Sequence, residues 1–178
     1  GVVSRLVAAK GLDLIAEVLD ELMTMPVQMV ILGTGEEKYE SMFRVAAHRH
    51  PAKLSVNIYF NDALARAIYA GSDMFLMPSR SEPCGIGQLI ALRYGSVPIV
   101  RETGGLYDTI ESFNEYTDEG NGFSFTHYNA QDMMYTIKRA ADFYHDAKIW
   151  PRIVKAAMKS DFSWRRSASE YSALYDRL

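Results

Sequence analysis

The sequence predicts an α/β domain of the Rossmann-like, doubly wound type, a parallel sheet with flanking helices on both faces. Two observations carry that prediction. Short apolar runs rich in Val, Ile and Met, bounded by Gly, Pro or Ser, recur at 2–3, 27–32, 54–60, 74–77 and 97–100. Runs so continuously apolar read as strands buried on both faces. Between them, apolar residues at helical spacing occupy 12–25, 39–50, 63–70, 88–94 and 106–113. Strand and helix in alternation close into a parallel sheet, because right-handed crossovers set each helix on a sheet face. Beyond residue 113 the chain turns polar, with a short edge strand at 122–125, and from Ala130 it is helical. Breaks are expected near Trp150-Pro151 and at Asp161-Phe162-Ser163, where Ser163 is placed to cap the last helix.

Bulk composition narrows the function. At 178 residues and 48% apolar content, residues 1–178 make one well-buried domain rather than two. A net charge of −3 excludes a general nucleic-acid binder, which needs a basic face, so any phosphate site is local. Cys84 is the single cysteine, so no internal disulfide forms, and no Cys/His cluster has zinc spacing. A reducing, cytoplasmic setting fits. No apolar run approaches the roughly 20 residues that span a bilayer. Gly1 leads straight into Val2-Val3, which reads as a start inside a larger protein.

In open α/β sheets ligands bind beyond the carboxyl ends of the strands, so the segments that follow each strand are informative. After the first come Ser4-Arg5-Leu6 and Lys10-Gly11, two cations at a helix entrance and an anion site in outline. A diphosphate is the natural guest, although either cation alone reads as an ordinary surface charge. After the second comes Gly33-Thr34-Gly35, a tight turn without the spacing of a dinucleotide fingerprint. Tyr59-Phe60 follows the third with aromatic faces on which a base can stack, core packing being the alternative for at least one ring.

The fourth segment, Pro78-Ser79-Arg80-Ser81-Glu82-Pro83-Cys84-Gly85-Ile86-Gly87-Gln88, says most. Glu82 precedes a proline and is held in extended geometry, which aims its carboxylate into the crevice. Gly85 and Gly87 allow close backbone approach, and the N–H groups of Cys84, Gly85 and Ile86 are expected to open a helix. The alternative is that Glu82 merely caps that helix. The fifth segment, Arg101-Glu102-Thr103-Gly104-Gly105-Leu106, again sets a glycine pair where phosphate or sugar hydroxyls can approach, though such turns are common at helix starts.

Taken together, Ser4-Arg5-Leu6 with Lys10-Gly11, Pro78-Ser79-Arg80 with Glu82-Pro83-Cys84-Gly85, Thr103-Gly104-Gly105-Leu106 and Asp161-Phe162-Ser163-Trp164 resemble the glycogen and starch synthases that use ADP-glucose. The resemblance covers the whole chain. It implies retaining transfer of glucose from ADP-glucose to the non-reducing end of an α-1,4-glucan, on a GT-B fold of two Rossmann-like domains facing a cleft. This chain matches the C-terminal, donor-binding domain. Its partners would be ADP-glucose or ADP, the glucan acceptor and an N-terminal domain of the same polypeptide, to which a last helix at 163–178 can cross. No cofactor or metal is expected, and the sequence has no Asp-x-Asp.

By the same resemblance Arg5 and Lys10 bind the donor phosphates and stabilise the leaving diphosphate, Glu82 faces the glucose ring, and backbone N–H groups around Cys84, Gly85 and Ile86 hold its hydroxyls. Phe60 stacks the base, Thr103, Gly104 and Gly105 approach the distal phosphate, and Gly33 and Gly35 border the adenosine. The chain departs from many relatives at Gly87, where Thr or Asn can reach a phosphate, and at Ile90, where related transferases hold the ribose with glutamate.

His48, His50, His127 and His145 read as surface or packing residues, and Trp150, Trp164, Tyr171 and Tyr175 as helix packing. The residues leave two other readings open: a non-catalytic nucleotide-binding module, for which the fold alone suffices, and a transferase using another nucleotide sugar such as UDP-glucose.

Overall fold

The computed structural model describes residues 1–177. Its strands are β1 (Val2–Val3), β2 (Met29–Leu32), β3 (Leu54–Asn57), β4 (Met74–Met77), β5 (Val97–Arg101) and β6 (Phe123–Phe125). The helices are α1 (Leu12–Leu22), α2 (Glu37–Arg49), α3 (Asp62–Gly71), α4 (Gly87–Tyr94), α5 (Gly105–Thr109), α6 (Ala130–Tyr144), α7 (Trp150–Lys159) and α8 (Trp164–Tyr175). All paired strands are parallel, in the orders β1-β2-β3 and β4-β5-β6. The Leu76 N–H donates to the Gly1 carbonyl at 2.9 Å, which sets β4 beside β1. The strands therefore run β3-β2-β1-β4-β5-β6, and the winding reverses between β1 and β4. That reversal leaves a crevice at the carboxyl ends of those two strands, since the loops after them depart to opposite faces.

The helices bury the faces that their spacing predicts. Leu12, Leu14, Ile15, Val18, Leu19 and Leu22 of α1 join Phe43 of α2 and Met133 and Ile137 of α6 in one cluster. The other sheet face is covered by α3, α4 and α5 through Ile68, Tyr69, Ala91, Leu92 and Leu106. Asn61 and Asn129 cap α3 and α6 by accepting from Leu64 N–H at 2.8 Å and from Gln131 N–H at 2.8 Å. None of the described helices is long and apolar enough to cross a membrane.

Several expected boundaries move. The run 54–60 leaves the sheet after Asn57, and both Tyr59 and Phe60 are exposed, so neither packs in the core. The run 27–32 pairs only from Met29. The helix expected over 106–113 ends at Thr109, and Ile110 and Phe113 reach the core from extended chain, Phe113 N–H donating to Gly122 C=O at 2.8 Å. Apolar spacing alone does not separate these backbones. The break before α7 lies at 145–149, with Pro151 in the first turn, where a missing N–H costs nothing. Ser163 occupies the N-cap position of α8 without capping it; its own N–H donates to Asp161 Oδ1 at 2.9 Å. Trp150 packs in the core, but Trp164, Tyr171 and Tyr175 stay exposed, and α8 buries no residue.

Gly11 joins the two sides of the crevice. Its φ is +70°, and a Cβ there would lie 1.9 Å from the Pro78 carbonyl oxygen. Gly11→Ala is therefore expected to lower unfolding free energy by roughly 2–4 kcal/mol, measured by urea denaturation.

Candidate functional site

The loops after β1 and β4 enclose a cleft of about 570 Å³ lined by Arg5, Lys10, Tyr69, Ser79, Glu82, Gly85, Ile86 and Gly87, among others. Lys10 ends a single 3-10 turn, Ala8–Lys10, and the left-handed Gly11 then starts α1 in a new direction. The turn swings the ammonium across the crevice to the carboxylate of Glu82, with which it forms an ion pair. Glu82 Oε2 also accepts from Ser79 Oγ at 3.2 Å. Its carboxylate thus faces the crevice, and the helix-cap alternative is set aside. The side chains of Lys10 and Glu82 are 20% and 10% exposed, so the pair sits in the cleft wall where water screens it poorly. Arg5 is exposed at the cleft mouth.

The 78–85 loop is held from several sides. Arg80 N–H donates to Ala9 C=O at 2.9 Å, tying it to the loop after β1. Arg101, at the end of β5, donates from Nε to Ser79 C=O at 2.9 Å and from Nη2 to Arg80 C=O at 2.7 Å. The Arg80 guanidinium lies 4.4 Å from the centroid of Tyr128, whose hydroxyl donates to Asp13 Oδ1 at 2.5 Å. Partial burial and the Asp13 contact keep the Tyr128 hydroxyl protonated above the usual tyrosine range.

The glycine pair after β5 packs against the 78–85 loop. Cβ atoms on Gly104 and Gly105 would lie 2.2 Å from the Glu82 carbonyl oxygen and 1.9 Å from that of Cys84. Gly105 N–H donates to Glu82 C=O at 3.2 Å. These glycines let one loop buttress the other, and Thr103, Gly104 and Gly105 do not line the cleft. Gly33 and Gly35 likewise face backbone, their Cβ positions falling 1.8 Å from the Ser4 and 2.2 Å from the Leu6 carbonyl oxygen. Cys84, Gly85 and Ile86, whose N–H groups were expected to open the next helix, precede its first residue. Gly85 is left-handed at φ 71°, Ile86 is the uncapped N-cap, and α4 begins at Gly87. Gln88, fully buried, donates from Nε2 to the carbonyls of Cys84 at 3.1 Å and Gly85 at 3.2 Å and so fixes the turn.

A deep crevice at the winding reversal, with paired and free cations in it, suits an anionic ligand, and the sequence profile described as "Glycosyl transferases group 1" matches residues 1–155. The chain belongs to the group 1 glycosyl transferases. It is 62% identical over its full length to glycogen synthase of Desulforamulus reducens and 60% identical to that of Clostridium novyi. It spans 37% of the length of each of these curated relatives. The catalytic domain of starch synthase IV from Arabidopsis thaliana, solved with ADP and acarbose, superposes with a TM-score of 0.89 at 36% identity. That match covers 99% of this chain and 37% of the other. The Rossmann-like GT-B fold class expected from the sequence is borne out.

In this group 1 glycosyl transferase the cleft brings together Arg5, Lys10, Glu82, Gly85 and Ile86. Gly33, Gly35, Phe60, Cys84, Thr103, Gly104 and Gly105 lie outside it, Cys84 exposed and Phe60 bare at 91% exposure beyond β3. Sequence reasoning missed Tyr69, Asp13 and Tyr128, which sit inside ordinary helical or loop patterns, and gave Ser79 and Arg101 no role. Their functions are set by contacts across the fold that no local spacing announces. His50 is a surface residue, paired with Asp20 at 2.9 Å.

Lys10→Ala leaves the Glu82 carboxylate in the cleft wall with Ser79 alone and is expected to cost about 3 kcal/mol of stability. Adding Glu82→Gln should return part of that loss, giving a non-additive double-mutant cycle by urea denaturation.

Proposed function

We propose that this chain is the donor-binding part of a retaining glucosyltransferase that moves glucose from ADP-glucose to the non-reducing end of an α-1,4-glucan. The observation that carries the reading is the Lys10–Glu82 ion pair in the cleft where the sheet reverses its winding, with Arg5 lining the same cleft at its mouth. The glycogen synthase relatives support the reaction, and starch synthase IV, solved with ADP and acarbose, supports the base and the sugar polymer.

The donor diphosphate lies against Arg5 and Lys10. Charge grows on it as the glycosidic bond breaks, and fixed cations in a poorly hydrated cleft stabilise that charge more than they stabilise the bound substrate. Lys10 exchanges its Glu82 partner for the diphosphate. Glu82 then turns to the glucose ring, with the backbone of Gly85 and Ile86 beside the sugar hydroxyls. Phe60 offers an uncovered ring to the adenine. The cations do the charge neutralisation for which other phosphate sites use a metal, so none is assigned. An N-terminal domain of the same polypeptide supplies the opposite wall and the acceptor, and α8, with nothing buried, crosses to it. Without that wall the chain binds donor but does not transfer glucose, because transfer needs both substrates held in a closed cleft. A single cysteine, Cys84, supports a reducing, cytoplasmic setting for the enzyme.

Calorimetric titration of the chain with ADP and UDP tests the reading. Saturable binding that favours ADP and weakens about tenfold or more in Arg5→Ala is expected, whereas a preference for UDP points to another nucleotide sugar. In the longer enzyme, Glu82→Ala should lower turnover by about a hundredfold while ADP affinity changes little; unchanged turnover removes Glu82 from the reaction.

A further inference from the structure

Tyr69 is the one polar side chain of the cleft that neither the motifs nor the loop contacts explain. It lies on α3, on the sheet face opposite α1, and its ring stacks on Phe75 with centroids 4.5 Å apart and planes 27° from parallel. Leu32, Ile68 and Ala91 belong to the same cluster, so the ring is fixed in the core and only 7% of the residue is exposed. Yet the residue lines the cleft, and no described residue hydrogen-bonds its hydroxyl. The ring is held in the core while the hydroxyl opens on the cleft without a described protein partner, which leaves its donor to a ligand there. Burial pushes its pKa up to about 12, so it keeps its proton and remains a donor.

The hydroxyl is aimed at the start of α4. It lies 3.2 Å from where a Cβ on Gly87 would be, with the Met77 thioether 3.3 Å from the same point. Gly87 and Tyr69 both line the cleft, and Ile86 supplies no side-chain cap to the N–H groups of the first turn. Glycine at 87 leaves the phenol an open line to whatever those N–H groups bind. An uncapped helix N-terminus attracts an anion, and a protonated phenol beside it adds a donor directed to the same oxygen.

We propose that Tyr69 is a ligand-binding residue of this site, its hydroxyl donating, together with the N-terminus of α4, to the distal phosphate of a nucleoside diphosphate. Glycine at position 87 exposes that hydroxyl. The assignment rests on the donor-site reading above and deepens it: Arg5 and Lys10 approach the diphosphate from the loop after β1, and Tyr69 and α4 hold it from the other sheet face. Tyr69 acts on a spectator oxygen and transfers no proton.

Tyr69→Phe tests this, since it removes one oxygen and keeps the stacked ring. The chain, Tyr69→Phe and Arg5→Ala are titrated calorimetrically with ADP and with AMP, which lacks the distal phosphate, and thermal unfolding is followed for each. Tyr69→Phe should melt at or above the temperature of the parent, lose about tenfold or more in ADP affinity and keep its AMP affinity. Gly87→Ala, which sets a methyl group against the hydroxyl, should weaken ADP in the same selective way. Equal affinity of the parent and Tyr69→Phe for ADP, with Arg5→Ala weakened, overturns the role of Tyr69 and leaves the donor site standing. Equal losses for ADP and AMP assign Tyr69 to packing alone and also overturn it. No binding of ADP by the parent overturns the donor-site reading and this inference with it.

Discussion

Lys10 and Glu82 are 72 residues apart in sequence and share an ion pair. The contact exists only because β1 and β4 are neighbours, and much of the surrounding structure keeps their two loops at that separation. Gly11 lets the first loop lie on the Pro78 carbonyl, and Arg80 N–H ties the second to Ala9. Arg101 pins the second loop from β5, and Gly104 and Gly105 support it from behind. A cleft whose two walls are joined through backbone in this way keeps its shape without relying on flexible side chains, which suits a site that must hold fixed charges in place.

The pair is a poor way to stabilise a fold. Removing a carboxylate and an ammonium from water costs several kcal/mol per ion, and their attraction returns about that much only in favourable geometry. Its sense is chemical. With a net charge of −3 on the whole chain, an anionic ligand is not drawn by the general field and must be held by local cations. Lys10 is already largely withdrawn from water and oriented by Glu82, so on the proposed reading a diphosphate that took it from Glu82 would exchange one anionic partner for another. The carboxylate released by that exchange would sit beside the ligand.

The sheet was legible in the sequence because its inner strands, β5 above all, are largely buried on both faces. The runs at 2–3 and 74–77 fall on β1 and β4 without adjustment. The reading failed where an apolar residue reaches the core by a route that its spacing does not record, as Ile110 and Phe113 do from extended chain. The strand expected over 54–60 also ran too far, since β3 ends at Asn57, and core packing of Tyr59 or Phe60 fails because both rings are exposed beyond the strand end. At the site, Arg5, Lys10 and Glu82 were legible from their places after strands, but the bond between the last two was not, since it depends on strand order. The glycines at 104 and 105 were read as openings for a ligand, and the structure shows them as contact points between loops. Glycine marks close backbone approach, and the sequence does not say what approaches.

The account turns on whether the diphosphate of a nucleotide enters between Lys10 and Glu82. A crystal structure of the chain grown with ADP measures this directly. The account predicts both phosphates in the cleft between β1 and β4, oxygens within hydrogen-bonding distance of Arg5 and of Lys10 Nζ, and the ammonium drawn away from the Glu82 carboxylate. ADP bound elsewhere on the domain, with Lys10 and Glu82 still paired, would contradict it.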